Sequence, residues 1–175
     1  MAGQVLCRWH PVPVDHLSVQ VRPTLAGDSP AIKRLAVATG LMTEDEAEGF
    51  ASDVESADSA EAIWACAITS DGDVVGAAYG AREAFSDGVW NLLFIAVDPD
   101  VQSRGTGSRL LHWIEDRLAG TATALVIDTS GQDAFAATRS FYTKHQYRQV
   151  GVIPDYYGLG DSKTTFWRSF RTVTG

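Results

Sequence analysis

The chain has 175 residues, 45% of them apolar, and a formal net charge of −8. That length and apolar content suit one domain with a real core and exclude a disordered chain, and the acidic balance argues against a nucleic-acid partner. No apolar run nears the roughly 18 residues of a membrane helix. Its two cysteines, Cys7 and Cys66, and four scattered histidines give neither a disulfide framework nor zinc-ligand spacing, so no metal and a cytoplasmic home are expected.

Residues 1–16 lack the basic start and apolar stretch of a signal peptide and read as an arm ahead of a domain spanning 17–175. Leu17 to Arg22 alternates as a strand and stops at Pro23. Asp28 and Ser29 before Pro30 start a helix that carries Ile32, Leu35 and Ala36 and ends at Gly40. Thr43 with Glu46 forms a capping box for a second helix, running to about Ala57. Ala62–Thr69 and Val74–Tyr79 flank Asp71-Gly72-Asp73, a hairpin signal. Trp90 to Val97 is a dense apolar strand.

A helix from about Thr106 to Leu118 follows, with Leu110, Leu111, Ile114 and Leu118 on one face and Gly120 as its stop. Ala124–Thr129 is a buried strand, and Asp133 to His145 a helix. Tyr147–Ile153 and Thr164–Phe170 are the last strands, joined by a turn over Gly158 to Ser162. This order predicts an α/β fold, a mixed sheet with helices on its faces.

The segment between Ile95 and Leu111 holds the densest chemical signal. A buried strand ends, a short polar loop follows, and a helix opens on Gly105 and Gly107. Unpaired N–H groups at a helix start point outward and carry partial positive charge. Glycines let a phosphate come close to that backbone, and Gln102 and Arg104 add side-chain donors. The combination suits a pyrophosphate, although two glycines that merely ease a turn would look the same. A P-loop is excluded, because no Gly-Lys-Ser/Thr follows. The dinucleotide fingerprint lacks its third glycine, which is Leu110 here. Asp128 has the spacing of a ribose-binding acid, but the loop arrives after four predicted strands rather than after the first.

Gln102-x-x-Gly105-x-Gly107 resembles the acetyl-CoA signature of GCN5-related N-acetyltransferases (GNAT). The likeness extends over about Leu17 to Phe170. Thr138-Arg139-Ser140-Phe141-Tyr142, followed by Tyr147, is similar to that family's fourth-helix motif, and Ile153 to Lys163 resembles the tail of a subset of small bacterial members. The resemblance implies a mostly antiparallel sheet of six to seven strands with about four helices. It also implies a bulge that splays a central parallel pair. Gln102, Ser103, Arg104, Gly105, Thr106, Gly107 and Ser108 would grip the pyrophosphate of coenzyme A, and Ile95, Ala96 and Val97 would pair with its pantetheine arm. The implied partners are acetyl-CoA and an amine acceptor, with no nucleic acid and no membrane; the family also allows a homodimer.

Acetyl transfer needs a neutral amine, donors for a developing oxyanion, and an acid for the leaving thiol. The resemblance gives the acid role to Tyr142, a residue that also suits a packed aromatic contact. The oxyanion donor is expected at the N–H of Val97 or Ala96. Histone-type members carry a glutamate where Asn91 stands, and asparagine cannot accept the proton. Glu83, Asp87 and Asp128 are the nearest carboxylates, and a water relay is the alternative. Gln146 replaces a usual glycine and Phe135 a usual asparagine. The acidic second helix suits either a cationic acceptor or plain solvation, and Trp90, Tyr156 and Tyr157 suit either an acceptor pocket or core and dimer contacts. The function expected is N-acetylation of a small molecule or protein amine; the alternatives are a coenzyme A sensor without turnover and a nicotinamide-binding protein.

Overall fold

The computed structural model describes residues 18–52 and 60–171. The expected arm and the expected end of the second helix near Ala57 lie outside them. The chain runs β1 (Gln20–Pro23), α1 (Ser29–Ala38), α2 (Glu44–Ser52), β2 (Ala62–Ile68), β3 (Val74–Arg82), β4 (Val89–Val97), α3 (Thr106–Leu118), β5 (Ala124–Ser130), α4 (Ala136–Lys144), β6 (Arg148–Gly158) and β7 (Asp161–Ser169). The seven strands form one sheet in the order β1-β2-β3-β4-β5-β7-β6. Neighbours are antiparallel except β4 and β5, which run parallel. This is the expected mixed sheet, with the expected parallel pair at its centre. No helix among the described residues is long and apolar enough to cross a membrane.

The sheet separates two apolar layers. On one face α3 lays Leu110, Leu111, Ile114 and Leu118 against Ile63, Val75 and Leu92, and Tyr142 and Phe166 join the same cluster. On the other, Ile32, Leu35 and Ala36 of α1 meet Trp64, Cys66, Ala77 and Phe94. β2 and β3 are thus covered on both sides, which is why they read as nearly unbroken apolar runs. Gly76 lets α3 settle onto the sheet. A Cβ there would stand 3.1 Å from both the Ala96 carbonyl oxygen and Leu110 Cδ1.

Local chemistry fixes the ends of these elements. The Thr43 N–H and hydroxyl both donate to Glu46 Oε2 at 2.8 Å, and the Glu46 N–H returns a bond to Thr43 Oγ1 at 3.4 Å. Gly72 turns the β2–β3 hairpin in the left-handed region, at φ +92°. The last hairpin is longer than the apolar runs suggest. Its regular pairing ends at Ile153↔Lys163 and resumes only at Gly158↔Asp161. Pro154 falls in that unpaired stretch, on the edge strand, where a missing N–H is tolerated.

Asp28 precedes α1 but makes no side-chain cap. Its carboxylate accepts from Arg22 Nη1 at 2.6 Å, Arg22 Nη2 at 2.9 Å and the Leu25 N–H at 2.8 Å, tying β1 to the α1 entrance. The Arg22 bonds, then the Leu25 amide, hold this carboxyl below the usual carboxylate range against the opposing effect of burial. A lowered folded-state value adds stability above the unfolded value near 4, lost as pH falls through the folded one. Asp28→Asn should therefore cost about 1–3 kcal/mol in urea unfolding at pH 7, and its deficit relative to the parent should shrink at pH 3.

Candidate active site

β4 and β5 pair only from Val89↔Ala124 to Leu92↔Ile127. Beyond that point they diverge. The cause lies on the other side of β4, where Tyr79 pairs with Phe94 but Gly80 pairs with Leu92, leaving Leu93 as the extra residue of a bulge. Leu93 is 56% exposed in a strand whose neighbours are buried. The bulge also sets which backbone groups face the opening. The Asp98 N–H donates to the Val75 carbonyl at 2.9 Å, and hydrogen-bonding sides alternate along an antiparallel pair. Ala96 therefore faces β3, whereas Ile95 and Val97 turn their N–H and C=O groups toward the gap. The Val97 carbonyl accepts from Gln102 Nε2 at 3.0 Å.

The loop after β4 is shaped for an anion. Ser103 and Gly105 both take left-handed backbone conformations, with φ of +64° and +84°. Gly105 stands at the N-terminus of α3 and no side chain caps the helix. Its first amides are left for water or a ligand. A Cβ on Gly107 would enter the cleft 3.7 Å from Phe141 and 3.8 Å from Val97. Protein packing therefore does not require glycine there, but an anion approaching the amides would. These features fit a diphosphate.

Two cavities, of about 600 and 470 Å³, meet at the gap. Ile95, Val97, Gln102, Thr138 and Tyr142 line both. Ser103, Gly105, Thr106, Gly107 and Ser108 line the larger one. Ala96 lines only the smaller, and Arg104 is exposed and lines neither. Tyr142 stands between the two cavities at 3% exposure, its ring against Phe141, Tyr147 and Phe166. Burial pushes its phenol well above its ordinary value, so the hydroxyl keeps its proton.

The carboxylates separate by position. Asp128 lines the smaller cavity. Glu83 instead accepts from Asn91 Nδ2 at 2.8 Å, and Asp87 sits in an exposed pair with Arg171 at 2.9 Å. Trp90 packs in the α3 layer rather than beside the gap; Tyr156 and Tyr157 are exposed on β6. Gln146 takes the left-handed conformation itself, at φ +66°, and so ends α4 without glycine. Phe135 lines the smaller cavity.

One contact has no signature in the sequence. Ser108 Oγ and His145 Nε2 lie 2.9 Å apart, joining the first turn of α3 to the end of α4 across 37 positions. Burial, then the neighbouring His112, lowers the His145 value and favours the neutral ring. The Ser108 hydroxyl can then donate to the imidazole, which aligns the helix of Tyr142 with the anion loop. Among the described residues no cluster of three His, Cys, Asp or Glu side chains is placed to hold a metal.

Comparison with known proteins agrees with this geometry. A family model, the Acetyltransferase (GNAT) domain, matches residues 59–149. A structure described as a GNAT-family acetyltransferase, from Desulfovibrio desulfuricans, is 26% identical with a TM-score of 0.79, covering 88% of this chain and 100% of its own. An aminoglycoside 6'-N-acetyltransferase complexed with coenzyme A is 17% identical, TM-score 0.74, over 89% of this chain and 99% of that one. The ribosomal-protein-S18-alanine N-acetyltransferase from Escherichia coli is 19% identical, TM-score 0.72, over 89% and 96%. The last two show a shared fold. No curated protein matches by sequence.

Proposed function

We propose that this chain, which belongs to the acetyltransferase (GNAT) domain family, moves an acetyl group from acetyl-CoA to a primary amine by direct attack. The observation that carries the proposal is the gap between β4 and β5, with an uncapped helix start at one end and a protonated buried tyrosine beside it. The diphosphate would lie on the amides of Gly105 to Ser108, with Gln102 and Ser103 at its flank. The pantetheine amides would then pair with Ile95 and Val97, as an added strand does at a sheet edge.

This direction of approach assigns the remaining roles. The thioester lies at the end of the arm farthest from the loop, so its carbonyl oxygen meets the Ile95 N–H rather than that of Val97. Ala96, turned to β3, has no part in oxyanion binding. The amine attacks from the smaller cavity. A nitrogen–carbon bond forms, the carbon–sulfur bond breaks, Tyr142 protonates the departing sulfur, and the proton shed by the attacking nitrogen restores the phenol. The ammonium proton leaves to solvent at the cavity mouth, where Asp128 holds the charged amine before it is lost. This path needs no carboxylate at Asn91, and a compartment that supplies acetyl-CoA, the cytoplasm, suits it.

Gly107→Glu puts bulk and negative charge where the diphosphate would sit, and should raise the acetyl-CoA dissociation constant about a hundredfold in calorimetry. Unaltered binding would remove the anion loop from the mechanism. Tyr142→Phe should lower kcat about a hundredfold or more while acetyl-CoA affinity stays within about twofold. Since the phenol is held above its ordinary value near 10, the parent kcat/KM should rise from pH 7 to about pH 9.5 with no falling limb. Coenzyme A release in these assays separates an enzyme from a sensor that only binds.

A further inference from the structure

Asp128, the charged residue on the wall of the smaller cavity, already has partners. Thr165 Oγ1 donates to its Oδ1 at 2.6 Å, and Lys163 Nζ lies 3.2 Å from its Oδ2. The same ammonium sits 4.2 Å from the centre of the Tyr156 ring. The Lys163 and Asp128 side chains are 17% and 21% exposed, so the pair is mostly buried but can still be reached, with Asp128 on the cavity wall and Lys163 bound to it. Neither is saturated. An ammonium has three donors, and Lys163 commits one to Asp128 and one to the ring face; a carboxylate offers about four lone-pair positions, of which Asp128 uses two.

The charge balance at this mouth selects among amines. Asp128 is the single charged residue among those described on the cavity wall, and Lys163 offsets it. A polycation would have to bring its second and third charges up to Lys163. The acidic side chains of α2 do not reverse this. Glu44, Asp45, Glu46 and Glu48 are exposed, Glu46 is held in its capping box and Glu48 pairs with Lys33; water and salt screen such charges over a Debye length of about 10 Å. A molecule with an amine and one nearby anion meets a different surface. Its ammonium can add to Asp128 and its anion to the spare donor of Lys163 without breaking the pair.

We propose that Lys163 is a specificity residue and that the acceptor is an amino carboxylate, a free amino acid or a short peptide acetylated at its N-terminus, rather than a polyamine or an aminosugar polycation. The inference rests on the smaller cavity being the acceptor side of an acetyltransferase. The test measures coenzyme A thiol release with α-amino acids and dipeptides, with the same molecules as C-terminal carboxamides, and with spermidine and kanamycin. The carboxylate forms should exceed their carboxamides by about tenfold or more in kcat/KM, with the polycations below both. Lys163→Met should collapse that ratio through KM, and Lys163→Arg should keep most of it; thermal unfolding of both variants checks that each is folded. An unchanged ratio in folded Lys163→Met, or faster release with the polycations, overturns the assignment while leaving the transferase intact. No release from any of these amines, with acetyl-CoA still bound in calorimetry, overturns this inference and leaves the transfer reaction to be read with protein amines.

Discussion

Four residue pairs join β4 to β5, and the site exists because a fifth does not form. The insertion of Leu93 opposite the Tyr79–Gly80 step turns β4 away from its parallel neighbour. Past this point the Ile95 and Val97 backbone groups have lost a strand partner inside a mostly buried element. Unpaired backbone polar groups in such a place are costly. Gln102 covers one of them, the Val97 carbonyl. The others call for water or for a ligand that carries its own alternating amides. A sheet edge at the centre of a sheet is a binding surface that the fold itself maintains, since α3 and the β3 pairing hold β4 rigid on its other side.

The sequence discloses the elements better than their relations. α3 is legible, from about Thr106 to Leu118, because its apolar stripe is sharp and glycines stand at both ends. The Thr43–Glu46 box is legible because it is local chemistry over three positions. The bulge is not, because Leu93 is apolar like its neighbours and the run from Trp90 to Val97 keeps no alternation that a shift could break. Asp28 looks like a helix cap and is instead held by Arg22, a contact between separate elements. The Ser108–His145 contact is hidden for the same reason. Of the loop, Gln102, Ser103 and Gly105 to Ser108 line the cavities as motif and backbone rules lead one to expect, whereas Arg104 lines neither. The choice of Ile95 and Val97 over Ala96 needs the register, which only the folded sheet supplies.

Tyr142 illustrates why a structural and a chemical reading of one residue need not compete. Its ring fills a gap among Phe141, Tyr147 and Phe166. That same packing removes the phenol from water and raises its proton affinity. A donor to a leaving thiolate must still hold its proton when the carbon–sulfur bond breaks, so the packing would serve the proposed chemistry. Asn91 carries the opposite lesson. Its Nδ2 is committed to Glu83, and its Oδ1 is buried without a partner among the described residues. An amide fixed in this way holds β3 and β4 together at their far end but offers no route for a proton.

The surroundings of Asp128 are decided by strand alternation. Leu125 and Ile127 of β5 are buried in the α3 layer, so Asp128 must emerge on the opposite face. Lys163 and Thr165 of β7 alternate with Thr164 and with Phe166, another member of that layer, so they emerge on the face of Asp128 across the β5–β7 ladder, where Asp128 pairs with Thr165. A one-residue slip of β7 would bury the lysine and expose Phe166. The core therefore enforces the register, and the register places a cation and an anion side by side, the anion on the wall of the smaller cavity. In this protein the two positions cancel in charge, and under the proposed function it is this pair, rather than the acidity of the whole chain, that would meet an incoming amine.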